Sequence, residues 1–581
     1  MKGRFNQSSW IQVATIRTYI LASIIAITGC YSREDSKSTG IPETKGAVQL
    51  PVDFENVSAM LDREQRYENG ESANLYTYLE AMGGGVGALD YDRDGFDDLY
   101  FVGGGLFSED KNIIPKASNL FRNVEATKLQ HVTDFANVQA EKYYSMGVAC
   151  FDYNNDGFAD ILVTGYGGLQ FLVNQGDGTF LDASESSGLL DSSWSTSVAP
   201  GDFDNDGNID LYIANYVDWS WENNPSCTSP TGQREICAPA AFSGVQDIVF
   251  MSDGTGSFRA VTSEIGLVPE GRGLGVVTAD FNEDSRMDIY VANDATNNFL
   301  YINQGQGRFE EVGVESGTAL DERGISNGSM GVAILDFDQD NQQDIWVCNY
   351  ENETFAFYKN EGRANFRHVS TQTGLASLGT IYVAFGVVAG DFNLDGFDDV
   401  IVVNGHVARF PNGNTVAQQP LFLCNDKGKR FERVRFDEKS YFQRAWRGRG
   451  IASLDVEGDG DLDVAISNVL EPAAVLRNNT KRGGEWYGFS LVGAHSNRDS
   501  VGGKVSIRTN KRSIHKIVAG GGSYLSQSAY AVYFEIPKGE SLEEALVRWP
   551  DGHSEKIPKP IPNKITTIVE PWNAEDGLIA R

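Results

Sequence analysis

Short apolar runs broken by polar turns fill the chain between residues 80 and 480, with no long stretch at helical period. One unit keeps returning. It opens on a small apolar run that often holds glycine, as in MGGGVGALD, MGVACFD, GLGVVTAD, MGVAILD and FGVVAGD. A polar loop follows, then a second apolar run: DLYFVG, DILVTG, DLYIAN, DIYVAN, DIWVCN, DVIVVN and DVAISN. Further on comes an Asn/Asp–Gly turn with apolar or aromatic flanks, as in FLVNQGDGTF and FLYINQGQGRF. Runs this short, bounded by such turns, are strands joined as hairpins.

The polar loops give the repeat its register. LDYDRDGFDDLY sets acids at a D-x-D-x-D-G-x-x-D spacing, and six more copies start 50 to 78 residues apart. A period in that range signals a repeat architecture. Four short strands per repeat, taken seven times, predict an all-β chain: a seven-bladed β-propeller over residues 50–482 with a small C-terminal β-rich domain over 483–570. The turn-plus-apolar unit that should follow the seventh loop is missing there. It stands at residues 52–60, VDFENVSAM, so an N-terminal strand is expected to complete the last blade and hide its edge.

The loop residues are oxygen donors throughout. In chain order the candidate ligands are Asp90, Asp92, Asp94 and Asp98; Asp152, Asn154, Asp156 and Asp160; Asp202, Asp204, Asp206 and Asp210; Asp280, Asn282, Asp284 and Asp288; Asp336, Asp338, Asp340 and Asp344; Asp391, Asn393, Asp395 and Asp399; and Asp455, Glu457, Asp459 and Asp463. Calcium takes six to eight oxygens in flexible geometry, whereas magnesium demands a near-ideal octahedron. Up to seven structural Ca2+ are therefore expected. Glycine at the sixth position permits the tight turn. Ser285 and Asn341 replace it in loops four and five. Isolated copies of such a loop are ordinary turns, but seven in register point to metal.

Charge narrows the partners. The 581 residues carry 48 basic and 80 acidic side chains, for a net −32. Phosphate backbones need clustered Lys and Arg, so nucleic acid is excluded as a partner. Residues 1–30 pair Lys2, Arg4 and Arg17 with a short apolar run, too short to span a bilayer, and read as a secretion signal. The end of that segment, ITGC, resembles a bacterial lipobox. That resemblance implies lipidation and membrane attachment at Cys30, a polar tether over 31–49 and a place at the outer membrane, because Tyr31 is not the aspartate of inner-membrane retention. Residues 571–581 read as a tail. Cys227 and Cys237 lie ten apart in a loop-like, Pro/Ser/Gly/Asn-rich stretch and are the expected disulfide in an exported chain. Cys150, Cys348 and Cys424 sit in or beside apolar runs and are expected to be buried.

The loops resemble the FG-GAP/VCBS repeats of the integrin alpha-chain propeller. The segments EWYGFSLVGAHSNRDSVGGKVSIRT, VAGGGSYLSQSAYAVYF and LVRWPDGHSEKI resemble the ASPIC/UnbV domain of the cartilage acidic protein 1 family, matched at Asn497, Gly502, Gly503, Gly521, Gly522, Ser526, Gln527, Ser528, Trp549, Pro550, Asp551 and Gly552. Lys504 stands near where the family usually has alanine. The family's bacterial form carries a Cys…GxR…Cys-x-P insertion, matched by Cys227, Gly232, Arg234, Cys237 and Pro239. The resemblance implies an extracytoplasmic, calcium-associated protein with no established catalysis.

Two functions compete. One is a binding, adhesion or scaffold module for an extracellular protein or glycan, with Tyr216, Trp219 and Trp221 as candidate contacts because loops on rigid scaffolds commonly carry binding. The alternative is an extracellular hydrolase or lyase acting on carbohydrate, which needs a spare carboxylate pair in a central cleft. No HExxH or Walker lysine occurs, and no catalytic residue is assigned. Gly83–Gly87 lacks the βαβ context of a dinucleotide loop. His406 is taken as a loop histidine.

Overall fold

A computed structural model describes residues 52–571. The expected signal segment, Cys30, the whole of the expected tether and the last ten residues lie outside it. Each of the seven repeats builds a four-stranded antiparallel sheet, and Gly520–Gly521 adds a fifth strand to the fourth of them. The first strand runs into the acidic loop, and the ninth loop residue opens the second strand, as in Val86–Leu89 and Asp98–Phe101. The first two strands of the repeats are almost wholly buried, because both faces of each sheet are covered. That is why they read as continuous apolar runs rather than alternating ones.

Strand Phe54–Asn56 pairs antiparallel with Ala474–Asn478, so the chain's beginning supplies the outer strand of the seventh sheet. The expectation of a closed seven-bladed β-propeller is nevertheless corrected. The architecture is all-β and multi-sheet, and no sheet closes into a barrel or propeller. The physical reason is where the ladders run: strand ladders stay within each sheet, and neighbouring repeats meet through packed side chains and single backbone bonds such as Gly85 N to Met146 O at 2.8 Å. Apolar faces meet across each junction, as where Val86, Leu99 and Phe121 of the first repeat pack on Leu454 and Val475 of the seventh.

An asparagine near the end of the third strand latches most junctions. Asn303 Nδ2 donates to Met287 O in its own loop at 3.1 Å and to Phe203 O of the preceding repeat at 2.9 Å. Asn174, Asn360, Asn425 and Asn478 reach the preceding repeat the same way, at 2.9–3.0 Å. Asn123 of the first repeat reaches Val456 O of the seventh at 2.8 Å. Only the third repeat has another residue there, Ser252.

The chain after residue 484 builds two smaller sheets. In one, Glu485–Val492 lies between Val532–Ile536 and the parallel strand Ile565–Val569. In the other, Lys504–Thr509 lies between Ser513–Ile517 and Leu542–Arg548. Between them, residues 520–529 thread among the first strands of the repeats. Gln527 N donates to Val86 O, Val148 N to Leu525 O, Gly522 N to Val276 O, Val332 N to Ser523 O and Ala529 N to Ser453 O, all at 2.8–3.1 Å. Ser197 Oγ accepts from Leu525 N at 3.0 Å, and Val387 N donates to Ser523 Oγ at 3.3 Å. All seven repeats thus bond to this one segment. It fits because the strands beside it carry glycine: a Cβ on Gly85 would stand 1.6 Å from Leu525 O.

Candidate functional site

The seven acidic loops share one internal wiring. The first carboxylate accepts the amides of the fifth and sixth residues, at 2.6–3.1 Å in every copy. The sixth residue is left-handed throughout, φ +67° at Ser285, +70° at Asn341 and +86° to +93° at the five glycines. Left-handed backbone favours glycine and tolerates asparagine, so loop four, with serine, carries the most strain. The ninth residue is a buried aspartate. Its Oδ1 accepts the third-strand amide at 2.7–2.9 Å. Its Oδ2 accepts the amide of the second loop residue at 2.8–3.1 Å, or of Asn393, the third, in loop six. The first and ninth carboxylates therefore shape the loop, and the third and fifth are left to face a ligand.

These faces converge. Carboxylate oxygens of Asp90, Asp92 and Asp94 lie within 4.8 Å of one another, as do those of Asp202, Asp204 and Asp206, and of Asp336, Asp338 and Asp340. Each cluster could hold a metal ion. Asp92 Oδ1, Asp338 Oδ1 and Glu457 Oε2 are buried with no hydrogen-bond partner. An unsatisfied buried oxygen is costly, and a cation satisfies it. The donor set is all oxygen, which suits a hard cation. In loops two and four the third residue turns its amide on the fifth: Asn154 Nδ2 donates to Asp156 at 2.8 Å and Asn282 Nδ2 to Asp284 at 2.9 Å. Loop six differs, with Asn393 Nδ2 3.4 Å from Asp399. In loop seven Glu457 leans to Arg477, 3.3 Å away.

Burial, reinforced by neighbouring carboxylates, pushes Asp152 and Asp455 up to about 6, Asp202 and Asp336 to about 7 and Asp344 to about 8. A bound divalent charge would reverse that pressure.

The C-terminal sheets sit against these same loops with basic side chains. Arg548 lies 3.0 Å from Asp280, Lys504 lies 3.3 Å from Glu283 and Lys516 lies 2.5 Å from Asp398. Arg482 donates to Asp459 O at 3.0 Å. Two acids outside the predicted sets also touch loop ends: Asp499 accepts Asp152 N at 2.7 Å and Asp97 accepts Asp455 N at 3.2 Å. Position eight is not part of the loop spacing, and Asp499 comes from another sheet, so spacing alone does not find them.

A second polar cluster lies apart from the acidic loops. Tyr78 OH and Tyr216 OH are 2.6 Å apart, and Tyr216 also bonds Asp294. Glu353 accepts the amides of Gly328 at 2.9 Å and Tyr350 at 3.2 Å. Burial lifts Asp294 to about 6 and Glu353 to about 7. His406 Nδ1 accepts Ala408 N at 2.9 Å, which places the ring proton on Nε2, facing Glu351 at 3.3 Å. The expected partner contacts are corrected here: Tyr216 is 0% and Trp219 2% exposed. Tyr216 stacks on Tyr78 and meets Trp194 edge-on, and Trp219 meets Tyr166 and the partly buried Trp221 edge-on, as core beneath the Cys227–Cys237 disulfide and its loop.

The family described as FG-GAP-like repeat matches residues 152–213, 280–347 and 336–402, and the family described as ASPIC and UnbV matches 493–575. Residues 152–213 and 280–402 are thus similar to FG-GAP-like repeats, and residues 493–575 to ASPIC and UnbV. It is similar to cartilage acidic protein 1 of Xenopus tropicalis, 28% identical over 61% of this chain and 51% of that protein. The mouse protein of that name is 24% identical over 87% of this chain and 68% of its own length, and the human one 26% over 66% and 54%. The chain thus spans about half the length of the first of these relatives. Among solved structures, an Agrocybe aegerita lectin described for specific recognition of non-reducing terminal N-acetylglucosamine aligns at TM-score 0.37 with 16% identity, covering 66% of this chain and 88% of the lectin. BBS1N in complex with ARL6DN aligns at 0.36 with 10% identity, covering 74% and 96%. These scores are too low to identify a shared fold.

The comparisons correct the expectations drawn from the first thirty residues. The curated relatives are vertebrate proteins, and nothing in them supports a bacterial lipoprotein form, a signal peptide, attachment through Cys30 or an outer-membrane place. A lipobox is four residues long, so it matches by chance far more readily than a seven-fold repeat. The cysteine chemistry among the described residues is the Cys227–Cys237 disulfide, with Cys150, Cys348 and Cys424 buried as free thiols.

Proposed function

We propose that the acidic loops bind calcium, up to one ion per loop, and that the ion-stapled repeats present a rigid surface to an extracellular protein or glycan partner. The observation that carries the metal half is the set of orphaned, buried third-position oxygens beside converging carboxylates. Asp90, Asp92 and Asp94, with their counterparts in the other loops, would hold the ion; the ninth-position aspartates would brace it. The ion supplies charge neutralisation, and by binding the folded chain alone it adds stability by mass action. The disulfide supports a place outside the reducing cytosol. Residues 483–570 act in this reading as a second β unit that caps the loop face.

The test is calcium titration of the full chain by calorimetry, with thermal melts in calcium and in chelator. Several ions per chain and a melt lowered by chelator support the reading. No bound calcium and no shift would sink it. A glycan-array and surface-protein screen of the calcium-loaded chain then addresses the partner.

A further inference from the structure

The third strand carries a second periodic signal, one residue before the latch asparagines. Arg122, Lys359 and Arg477 occupy that register position in repeats one, five and seven. Each turns over the acidic loop of its own sheet. Arg122 lies 2.5 Å from Asp92 and 3.0 Å from Asp94. Lys359 lies 2.6 Å from Asp338 and 2.7 Å from Asp340. Arg477 lies 3.3 Å from Glu457. In these three loops the third position is an acid. In repeats two, four and six the third position is Asn154, Asn282 or Asn393, and the strand position holds Val173, Ile302 or Cys424. The third repeat breaks the pairing: Asp204 is an acid, but Met251 stands where a base would.

The pairing equalises charge. A loop with four acids and one base carries the same net charge as a loop with three acids and an asparagine. Over positions one, three, five and nine, the loop of Asp202, Asp204, Asp206 and Asp210 alone keeps a fourth acid with no base on its own third strand; Asp97, Asp398 and Asp461 add acids at other positions of loops one, six and seven. Loop four lies at the other extreme, since Arg286 pairs with Asp284, Arg548 with Asp280, and Ser285 replaces glycine.

We infer that these third-strand residues grade the cation affinity of the loops: Arg122, Lys359 and Arg477 are tethered cations that a metal must displace, and the loop of Asp202, Asp204, Asp206 and Asp210, which lacks one, is the tightest site. The inference rests on the proposal that the loops bind calcium. Arg122 and Lys359 touch both the third and the fifth carboxylate of their loops and Arg477 the third, so base and metal would compete for the same side chains. Ligand charge count and site rigidity move calcium affinity across decades. Without metal, the tethered base also relieves repulsion between acids that lie within 4.8 Å.

The experiment is calcium calorimetry on the full chain, paired with melts in chelator, for wild type, Met251→Lys, Met251→Leu, Arg122→Met and Lys359→Met. Met251 is partly exposed, so lysine fits without a buried charge. Expected for Met251→Lys is at least about a tenfold loss in the tightest class, while Met251→Leu keeps it. Arg122→Met and Lys359→Met each gain a tight site and melt lower in chelator. Calcium binding that is the same in all five proteins overturns the inference while leaving the metal proposal standing. A wild type that binds no calcium overturns both.

Discussion

Ser523 is the sharpest test of the threaded segment, because its hydroxyl joins two repeats and its backbone a third. Ser523 Oγ donates to Ile451 O at 2.8 Å and accepts Val387 N at 3.3 Å. Its own amide and carbonyl pair with Val332 at 2.6 and 3.0 Å. The residue is buried and its φ is +57°. Ser523→Ala keeps the backbone pairing and removes only the hydroxyl. That strips a partner from a buried carbonyl and a buried amide, each costing about 1–3 kcal/mol when left unsatisfied. The longer of the two bonds is the weaker, so the expected loss is about 2–4 kcal/mol. The assay is urea unfolding followed by tryptophan fluorescence, with hydrogen exchange at the Val387 amide as the local readout. Ser377→Ala is the control: its hydroxyl is exposed and bonds only Gly374 O, so it should stay within about 0.5 kcal/mol of wild type. If Ser523→Ala matches that control and Val387 exchanges no faster, the segment rests against the repeats without stabilising them, and the reasoning fails.

Three further outcomes follow from the geometry. Asn425→Ala severs bonds to Phe337 O and Asp398 O and one from Gly428 N, and should cost about 2–4 kcal/mol in the same urea assay. Reducing the Cys227–Cys237 bond, which closes a ten-residue separation, should remove about 2–3 kcal/mol of local restraint; limited proteolysis should then cut between residues 218 and 243 while the repeats stay intact. Glu353 is raised by burial from 4.5 to about 7, so its contribution to stability is fully present below about 4.5 and is lost as pH rises through about 7. Glu353→Gln still accepts both amides, and the difference between its melting profile and the wild type's should shrink toward acid pH and favour the variant near neutrality.

The repeats were legible in the sequence because the same chemistry recurs where the same geometry recurs. Asp at position one accepts the amides of positions five and six, and Asp at position nine ties two strands; no other residue type does either as well, so the spacing survives in all seven loops. The strand from residues 52–60 was legible for a related reason. A missing fourth strand at one end and a surplus one at the other leave a single assignment that spares an exposed edge. The closed-propeller picture failed because strand count and period carry no information about how neighbouring sheets are joined. The aromatic insertion misled for a similar cause: Tyr216, Trp219 and Trp221 sit in a loop-like stretch, and composition cannot say whether such a stretch folds outward or back over its own core.

What stayed hidden was long-range pairing. Asn123 and Val456 are 333 residues apart, and Asp152 and Asp499 are 347 apart. Nothing local in either member announces the other. The tethered bases belong to an intermediate class. Arg122 and Asp94 are 28 residues apart, Lys359 and Asp338 only 21. Both members fall at fixed positions of the same repeat, so the pairing is visible once the repeats are aligned on one another. The seven copies then serve as a small internal experiment. Where the third loop residue is an acid, three of four third strands answer with a base, and where it is asparagine none does. Random surface charge has no reason to track a residue two strands away. Under the proposed metal binding, the pattern is what a fold requires for each sheet to stand folded with and without a divalent ion: enough positive charge to hold the carboxylates together without metal, and a side chain long enough to withdraw for it. The third repeat, with four acids and methionine, lacks that provision, and its stability should depend on the ion more than any other.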